Sequence, residues 1–435
     1  MPGGPGLPSP RASDLGHEVG SAPSDSAPGA ESLHERACAL LASIFPVILL
    51  AMLTRLVTLP NRTFFLLGPR GTGKTTWLRS ALKDARWYDL LLDRELVRLM
   101  RDPGSFRAEV MALPAGSWVV VDEVQRLPAI LDDVQALLTE VPDRYRFALT
   151  GSSARRIRRE GANLLPGRAI NRRFFPLTLS ELGHAPTDDL VRFGTLPAVC
   201  TAEDDTTRIE LLEAYVANYV AQEIRIEATV RSLDAFTRFL DVAALANGQV
   251  TNVAGIARDA AVARPTVQGY FEVLVDTLLG VWLPAWRPRA RVKEVGHSKF
   301  YFFDTGLVRA LSGRLREPLE PVERGYLLET YVLHELRAHI DRASLGGELS
   351  YWRTPHGMEV DFVWTRGTRS VAIEVKASAR WRSEFDAGLT ALSAAGHVER
   401  AFGVYLGDVA QRRGPIDVLP LREFLARLCR GEVLA

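Results

Sequence analysis

Residues 68 to 76 read Gly68-Pro69-Arg70-Gly71-Thr72-Gly73-Lys74-Thr75-Thr76. Glycine at three of the first six positions lets the chain turn tightly and aim several backbone N–H groups inward, which suits a phosphate. The apolar run Phe64–Leu67 precedes this turn and a helix-forming stretch follows it, so a bound anion would sit at the positive end of a helix. In that setting the Lys74 ammonium reaches the outer phosphates of a nucleotide, and the Thr75 hydroxyl ligates the Mg²⁺ that accompanies them. Only five of the 53 basic residues are lysine. A lysine at this position is therefore not a by-product of composition.

Trp118-Val-Val-Val-Asp122-Glu123 supplies a second half for such a site. Four apolar residues ending in a carboxylate describe a buried central strand that delivers Asp122 to its C-terminal edge, where open α/β sheets bind ligands. There Asp122 holds Mg²⁺, directly or through water, and Glu123 serves as general base toward an attacking water. Two adjacent acids favour hydrolysis of ATP over simple binding. A third strand, Arg146 to Ser153, ends in the hydroxyl residues Thr150 and Ser152. They either belong to the site or form a polar strand-ending turn. Arg155, Arg156, Arg158, Arg159 and Arg168 follow. They read either as a solvated face or as the source of an arginine finger acting on another subunit's nucleotide.

The C-terminal third carries a separate constellation. Arg324 to Leu336 reads as an amphipathic helix with Glu329 near its start, and Glu359–Trp364 and Val371–Lys376 read as two strands joined by a turn. Alternation places Glu359, Asp361 and Val363 on one face and Val360, Phe362 and Trp364 on the other. In the second strand Ala372, Glu374 and Lys376 share a face opposite Val371, Ile373 and Val375. Asp361, Glu374 and Lys376 then converge while the apolar sets go to the core. Two carboxylates and a lysine at one strand edge, with Glu329 as fourth member, make a Mg²⁺ or Mn²⁺ site of nuclease type. The competing reading is a half-exposed sheet that shows charges to solvent.

These residues need a scaffold, and composition allows one. The chain of 435 residues is 47% hydrophobic and 24% charged with a net charge of +1, which excludes both wholesale disorder and a general electrostatic pull on nucleic acid. Cys38, Cys200 and Cys429 spell out no disulfide framework and suit a reducing cytoplasm. His334 and His339 are read as ordinary helix residues. Residues 1 to about 30 are rich in Pro, Gly, Ser and Ala and read as a disordered tail. Ala37–Leu53 is apolar but short and carries Pro46, so a membrane span is not expected, and a translation start at Met52 is the alternative. Val253–Val262 and Ala263–Phe271 read as a helix-turn-helix whose second helix shows Arg264, Thr266 and Gln268 outward, with Leu279–Trp286 as the strand pair of a wing. This unit reads either as a DNA reader, helped by Arg287, Arg289, Arg291 and Lys293, or as a structural lid.

The order of these pieces, with Phe174–Leu182 (FFPLTLSEL) between them, resembles the bacterial and archaeal AAA+-type ATPases whose C-terminal part is the domain of unknown function 4143. The resemblance runs from about Met52 to Leu425. It implies an α/β chain in three folded parts after a leader of residues 1–51. Residues 52–200 would be a P-loop NTPase domain with an AAA+-like parallel sheet, 201–295 a helical winged-helix domain, and 296–435 a restriction-endonuclease-like PD-(D/E)xK domain. It also implies ATP and Mg²⁺ as cofactors, and a γ-phosphate-sensing role for Thr150 or Ser152. A homo-oligomer and DNA as partner would fit it. Two functions are expected to compete: an ATP-gated switch on nucleic acid, and a signalling scaffold whose C-terminal domain is inactive and recruits a protein.

Overall fold

Strand β1 (Phe64–Leu67) is apolar at every position because both of its faces are covered. In the computed structural model it lies inside a five-stranded sheet of order β2-β3-β4-β1-β5, formed with β2 (Arg86–Asp89), β3 (Ser117–Asp122), β4 (Tyr145–Gly151) and β5 (Ile170–Arg173). Every pairing in it is parallel. The structure describes residues 53–153, 165–220, 232–287 and 297–434. The expected leader 1–51, Arg155–Arg159 and the basic residues Arg289, Arg291 and Lys293 lie outside them. Among the described residues no helix is long and apolar enough to cross a membrane.

The period of two sorts the sheet's side chains cleanly. Phe64, Leu66, Val120 and Ala148 meet Trp77 and Leu78 of α1 (Lys74–Ala81). Phe65, Val119, Val121, Phe147 and Leu149 face α2 (Asp93–Arg101), α3 (Pro103–Met111) and α4 (Ile130–Glu140). With both faces packed, all strand C-termini open at one edge, and the phosphate loop emerges there.

Short helices α5 (Leu179–Leu182), α6 (Thr187–Phe193), α7 (Pro197–Cys200) and α8 (Asp205–Ala214) follow, and α8 runs into a π-helical turn, Tyr215–Val220. Next come α9 (Leu233–Leu245), α10 (Val253–Asp259) and α11 (Arg264–Asp276). Strand β6 (Gly280–Leu283) pairs antiparallel with β7 (Lys299–Phe302). The strand pair is therefore not contained within Leu279–Trp286, as the sequence reading had it. The second strand comes later, so the pair straddles the expected domain boundary at residue 295.

After α12 (Thr305–Leu311) and the long α13 (Pro321–Arg342), a mixed six-stranded sheet forms in the order β12-β13-β11-β10-β9-β8. Its strands are β8 (Glu348–Arg353), β9 (Glu359–Arg366), β10 (Arg369–Lys376), β11 (Arg400–Tyr405), β12 (Gln411–Arg413) and β13 (Ile416–Pro420). Helices α13 and α15 (Leu421–Cys429) cover one face, and α14 (Ala387–Ala394) covers the other. The competing reading, a half-exposed sheet that shows its charges to solvent, does not hold, since Asp361 and Glu374 are buried. A register shift against β8 between Ser350 and Trp352 also breaks the alternation of β9. Val360 consequently packs with Val363 and Ala372, not with Phe362 and Trp364.

One apolar cluster runs from Leu179 in α5 through α9–α13 to Leu434, so the middle helices and the C-terminal sheet share a core. Polar contacts join the nucleotide-side sheet to α13. Leu179 N donates to Glu335 Oε1 (2.6 Å), Tyr331 OH donates to the same oxygen (2.7 Å), and His334 Nε2 meets Leu177 O (3.1 Å). Burial lifts Glu335 to about 7 and lowers His334 to about 4. His334 is thus a neutral donor in the folded chain, and the unfolded chain takes up its proton first. Its contribution to stability is whole above pH 6.5 and drains as pH falls toward 4. Between pH 7 and pH 5, His334→Gln should lose about 2 kcal/mol less stability than the parent in chemical denaturation. Equal losses would contradict this assignment.

Candidate functional site

The phosphate loop is held by close backbone packing. Gly68 N donates to Gly151 O at 3.2 Å, and a Cβ on Gly68 would lie 2.2 Å from Phe174 O, so no other residue fits. Gly71 and Gly73 adopt φ of 76° and 92°, the left-handed region that favours glycine. Pro69 is buried, and its carbonyl accepts from Thr72 Oγ1 at 2.9 Å. Lys74 Nζ donates to Gly68 O (2.7 Å) and Pro69 O (3.0 Å), which holds the ammonium inside the curve of the loop. Thr75 and Thr76 open α1, with their backbone N–H groups at its positive end. The loop is anchored from outside as well. Arg55 donates to Thr72 O (2.9 Å) and Phe175 O (2.7 Å) and pairs with Glu181 (3.0 Å). Tyr215 OH donates to Arg70 O at 3.0 Å, and its ring sits beside Gly71.

The acid pair sits at the C-terminal end of β3, beside the end of β4. Thr75 Oγ1 donates to Asp122 Oδ2 at 2.7 Å, and Thr150 Oγ1 donates to Asp122 Oδ1. Thr150 Oγ1 also accepts from Glu123 N at 2.8 Å. Glu123 stands at φ 57°, a left-handed turn that aims its carboxylate away from the strand. Ser152 Oγ (3.1 Å) and Gln125 Nε2 both donate to Glu123 Oε2, and Gln125 Nε2 lies 2.9 Å from Ser152 Oγ. Both hydroxyls at the end of β4 thus join the acid pair, Thr150 on Asp122 and Ser152 on Glu123. Burial pushes the Asp122 carboxyl upward, and the hydrogen bonds from Thr150 and Thr75 oppose it. The adjacent Thr75 hydroxyl and Asp122 carboxylate form a hard oxygen donor pair that suits Mg²⁺.

Arg168 lies elsewhere. It precedes Ile170, which pairs with Phe64 at the beginning of β1, so it sits at the sheet edge opposite the loop and binds Thr139 Oγ1. Gln125 had no role assigned from sequence, and only its place in the turn Val124–Arg126 after the acid pair marked it.

The C-terminal residues do come together. Lys376 Nζ pairs with Glu374 and lies 3.9 Å from Asp361 Oδ2. Asp361 Oδ2 accepts from Val375 N (2.8 Å), and Glu374 Oε2 accepts from Asp361 N (3.3 Å). Glu329 is half-buried beside them and accepts from Tyr301 OH at 3.0 Å. Burial and the neighbouring Asp361 raise Glu329 to about 8 and Glu374 well above the carboxylate range. Lys299, unassigned from sequence, enters the same cluster at 3.5 Å from Glu329 and 2.5 Å from Glu359. The Mg²⁺ or Mn²⁺ expected here would meet carboxylates already engaged by Lys299, Lys376, Tyr301 and backbone N–H groups. Among the described residues, no three carboxylate, histidine or cysteine side chains are placed to share a metal ion.

In the helix-turn-helix, Ile256, Ala257, Val267, Tyr270 and Leu274 are buried, while Arg264, Thr266 and Gln268 face solvent.

The parallel sheet, the glycine-held lysine loop and the acid pair at one edge define an AAA-type nucleotide-binding domain. Comparison with known families agrees. Residues 60–183 match an AAA domain, 186–317 a domain of unknown function (DUF8612), and 324–424 a domain of unknown function (DUF4143). The chain thus carries an AAA domain and, C-terminal to it, a DUF4143 domain. No curated protein matches it.

Thr150 touches both acids, so Thr150→Val should separate binding from turnover. ATP affinity should stay within about threefold while the rate of phosphate release falls about tenfold or more. Equal loss of both would mark Thr150 as a structural residue.

Proposed function

We propose that this protein is an ATP-hydrolysing switch that acts on nucleic acid. The observation that supports hydrolysis is the hydrogen-bonded chain Thr75–Asp122–Thr150–Glu123, with Gln125 and Ser152 fixing one oxygen of Glu123. A carboxylate held by one oxygen can direct the other at a water, which is the requirement for a general base. Lys74 and the loop N–H groups bind the phosphates, and Thr75 and Asp122 would hold Mg²⁺, which supplies charge neutralisation when bound. Glu123 takes the proton of the attacking water. Tyr215 connects this site to the helical middle, since it touches the loop at Arg70 and Gly71 and packs beside Phe303. Occupancy of the loop would thereby reach the turn that follows α8 and the segment that leads into α12.

The output surface would be the exposed edge of α11, where solvent-facing Arg264, Thr266 and Gln268 could meet a duplex. One feature favours the scaffold reading, in which the C-terminal domain recruits a protein and cuts nothing: its carboxylates are already paired internally. A cytoplasmic setting accords with Cys200 and Cys429, which are free thiols.

Lys74→Ala should abolish binding of a fluorescent ATP analogue. Glu123→Gln should keep it and lower phosphate release at least about a hundredfold. Absence of NTP binding or hydrolysis by the parent with Mg²⁺ present would refute the ATPase reading. With ATP-loaded Glu123→Gln, a gel shift on duplex and single-stranded DNA should weaken steeply with salt, and Arg264→Ala should lower the salt slope by about one. No shift at low salt would leave the scaffold.

A further inference from the structure

Buried lysines are uncommon because the ammonium loses its water, so an internal lysine requires compensating oxygens. Lys299 is 3% exposed and is the first residue of β7, in the strand pair that follows the helix-turn-helix. Its backbone is fixed from two sides, by pairing with Leu283 in β6 and by a bridge to Val250. Its side chain leaves this module and enters the C-terminal carboxylate cluster. There Nζ lies 2.5 Å from Glu359 Oε1 on β9 and 3.5 Å from Glu329 Oε2 on α13, and sits 5.3 Å from the centre of the Tyr351 ring on β8. Four elements of the C-terminal third and its neighbour thus meet on one ammonium.

The surrounding groups leave little room for another cation. Tyr301 OH, one strand position pair from Lys299 on β7, occupies Glu329 Oε2 as well. Arg353 lies 3.5 Å from Glu359 Oε2. Lys376 covers Glu374, and backbone N–H groups hold Asp361 Oδ2 and Glu374 Oε2. The carboxylates that a divalent ion would bridge are each engaged, and the cation between Glu329 and Glu359 is covalently part of the chain.

We propose that Lys299 is a resident counter-ion that stands in for a divalent metal in this cluster and latches the β6–β7 module to the C-terminal sheet. The neighbouring carboxylates hold Lys299 protonated despite its burial, with its pKa raised. The C-terminal domain on this account keeps the frame of a metal-dependent site and uses it as an electrostatic fastening.

The test measures Mn²⁺ uptake by the full chain through loss of the free-ion EPR signal, in a Lys74→Ala background that silences the nucleotide loop. The parent should take up no Mn²⁺ in this background. Adding Lys299→Met should create one Mn²⁺ site per chain, bound at least about tenfold tighter than anything in the parent, and Asp361→Asn should remove it again. Lys299→Arg should stay as metal-free as the parent. If Lys299→Met does not fold, Lys299→Gln removes the charge and keeps a hydrogen-bond donor toward Glu359. One Mn²⁺ in the parent that Asp361→Asn abolishes would overturn the proposal. So would a folded Lys299→Met or Lys299→Gln protein that binds no more than the parent. Neither result bears on ATP binding, which Lys74 variants address separately.

Discussion

The contact of Gly68 with Phe174 is the constraint on which most of the molecule depends. Where β1 ends, the loop turns against the backbone leaving β5, and the space between them admits only a hydrogen in place of a Cβ. Phe174 is followed by Phe175, whose carbonyl binds Arg55, and Arg55 in turn binds Thr72 O and Glu181. Glu181 closes a capping box with Thr178 at α5, and Leu179 hands the connection to Glu335 on α13. The phosphate loop and the C-terminal helix are thus two ends of one short relay of satisfied polar groups. A buried guanidinium is tolerated there because every link has an oxygen partner.

The protein handles concentrated charge in two opposite ways. At the nucleotide edge, Asp122 and Glu123 are held by neutral donors, hydroxyls and an amide, which orient the carboxylates without neutralising them. Their charge remains available to a cation or a proton. In the C-terminal sheet the carboxylates also meet Lys299, Lys376 and Arg353, and the negative charge is offset inside the fold. Similar acidic motifs therefore have different chemical prospects, decided by the identity of their neighbours.

Those neighbours explain what could be read from the sequence. The loop, the acid pair and the hydroxyls of β4 were legible because each is local: a turn beside a strand and a helix, or the end of one apolar run. The helix-turn-helix was legible for the same reason, with Val267, Tyr270 and Leu274 inward at helical spacing. Arg55, Tyr215 and Lys299 were not, since each acts on residues far away in the chain and none stands in a pattern. The inward face of β9 was misjudged at Val360 because alternation assumes an unbroken ladder, and one irregularity against β8 shifts everything before it. The second strand of the pair was missed because β7 is separated from β6 by a long connection.

The shared apolar cluster from Leu179 to Leu434 carries a consequence for how the chain is made. The five-stranded sheet closes on its own two small cores and has all its strands by Arg173, so it can form while the ribosome is still extending the chain. Helices α9 to α12 cannot follow suit. Their apolar sides are completed by α13, β9, β10 and finally Val433 and Leu434, so they stay unsealed until late in synthesis. Biogenesis should therefore proceed as one early event and one late one, with the longest exposure to aggregation and to chaperones falling on the helical middle.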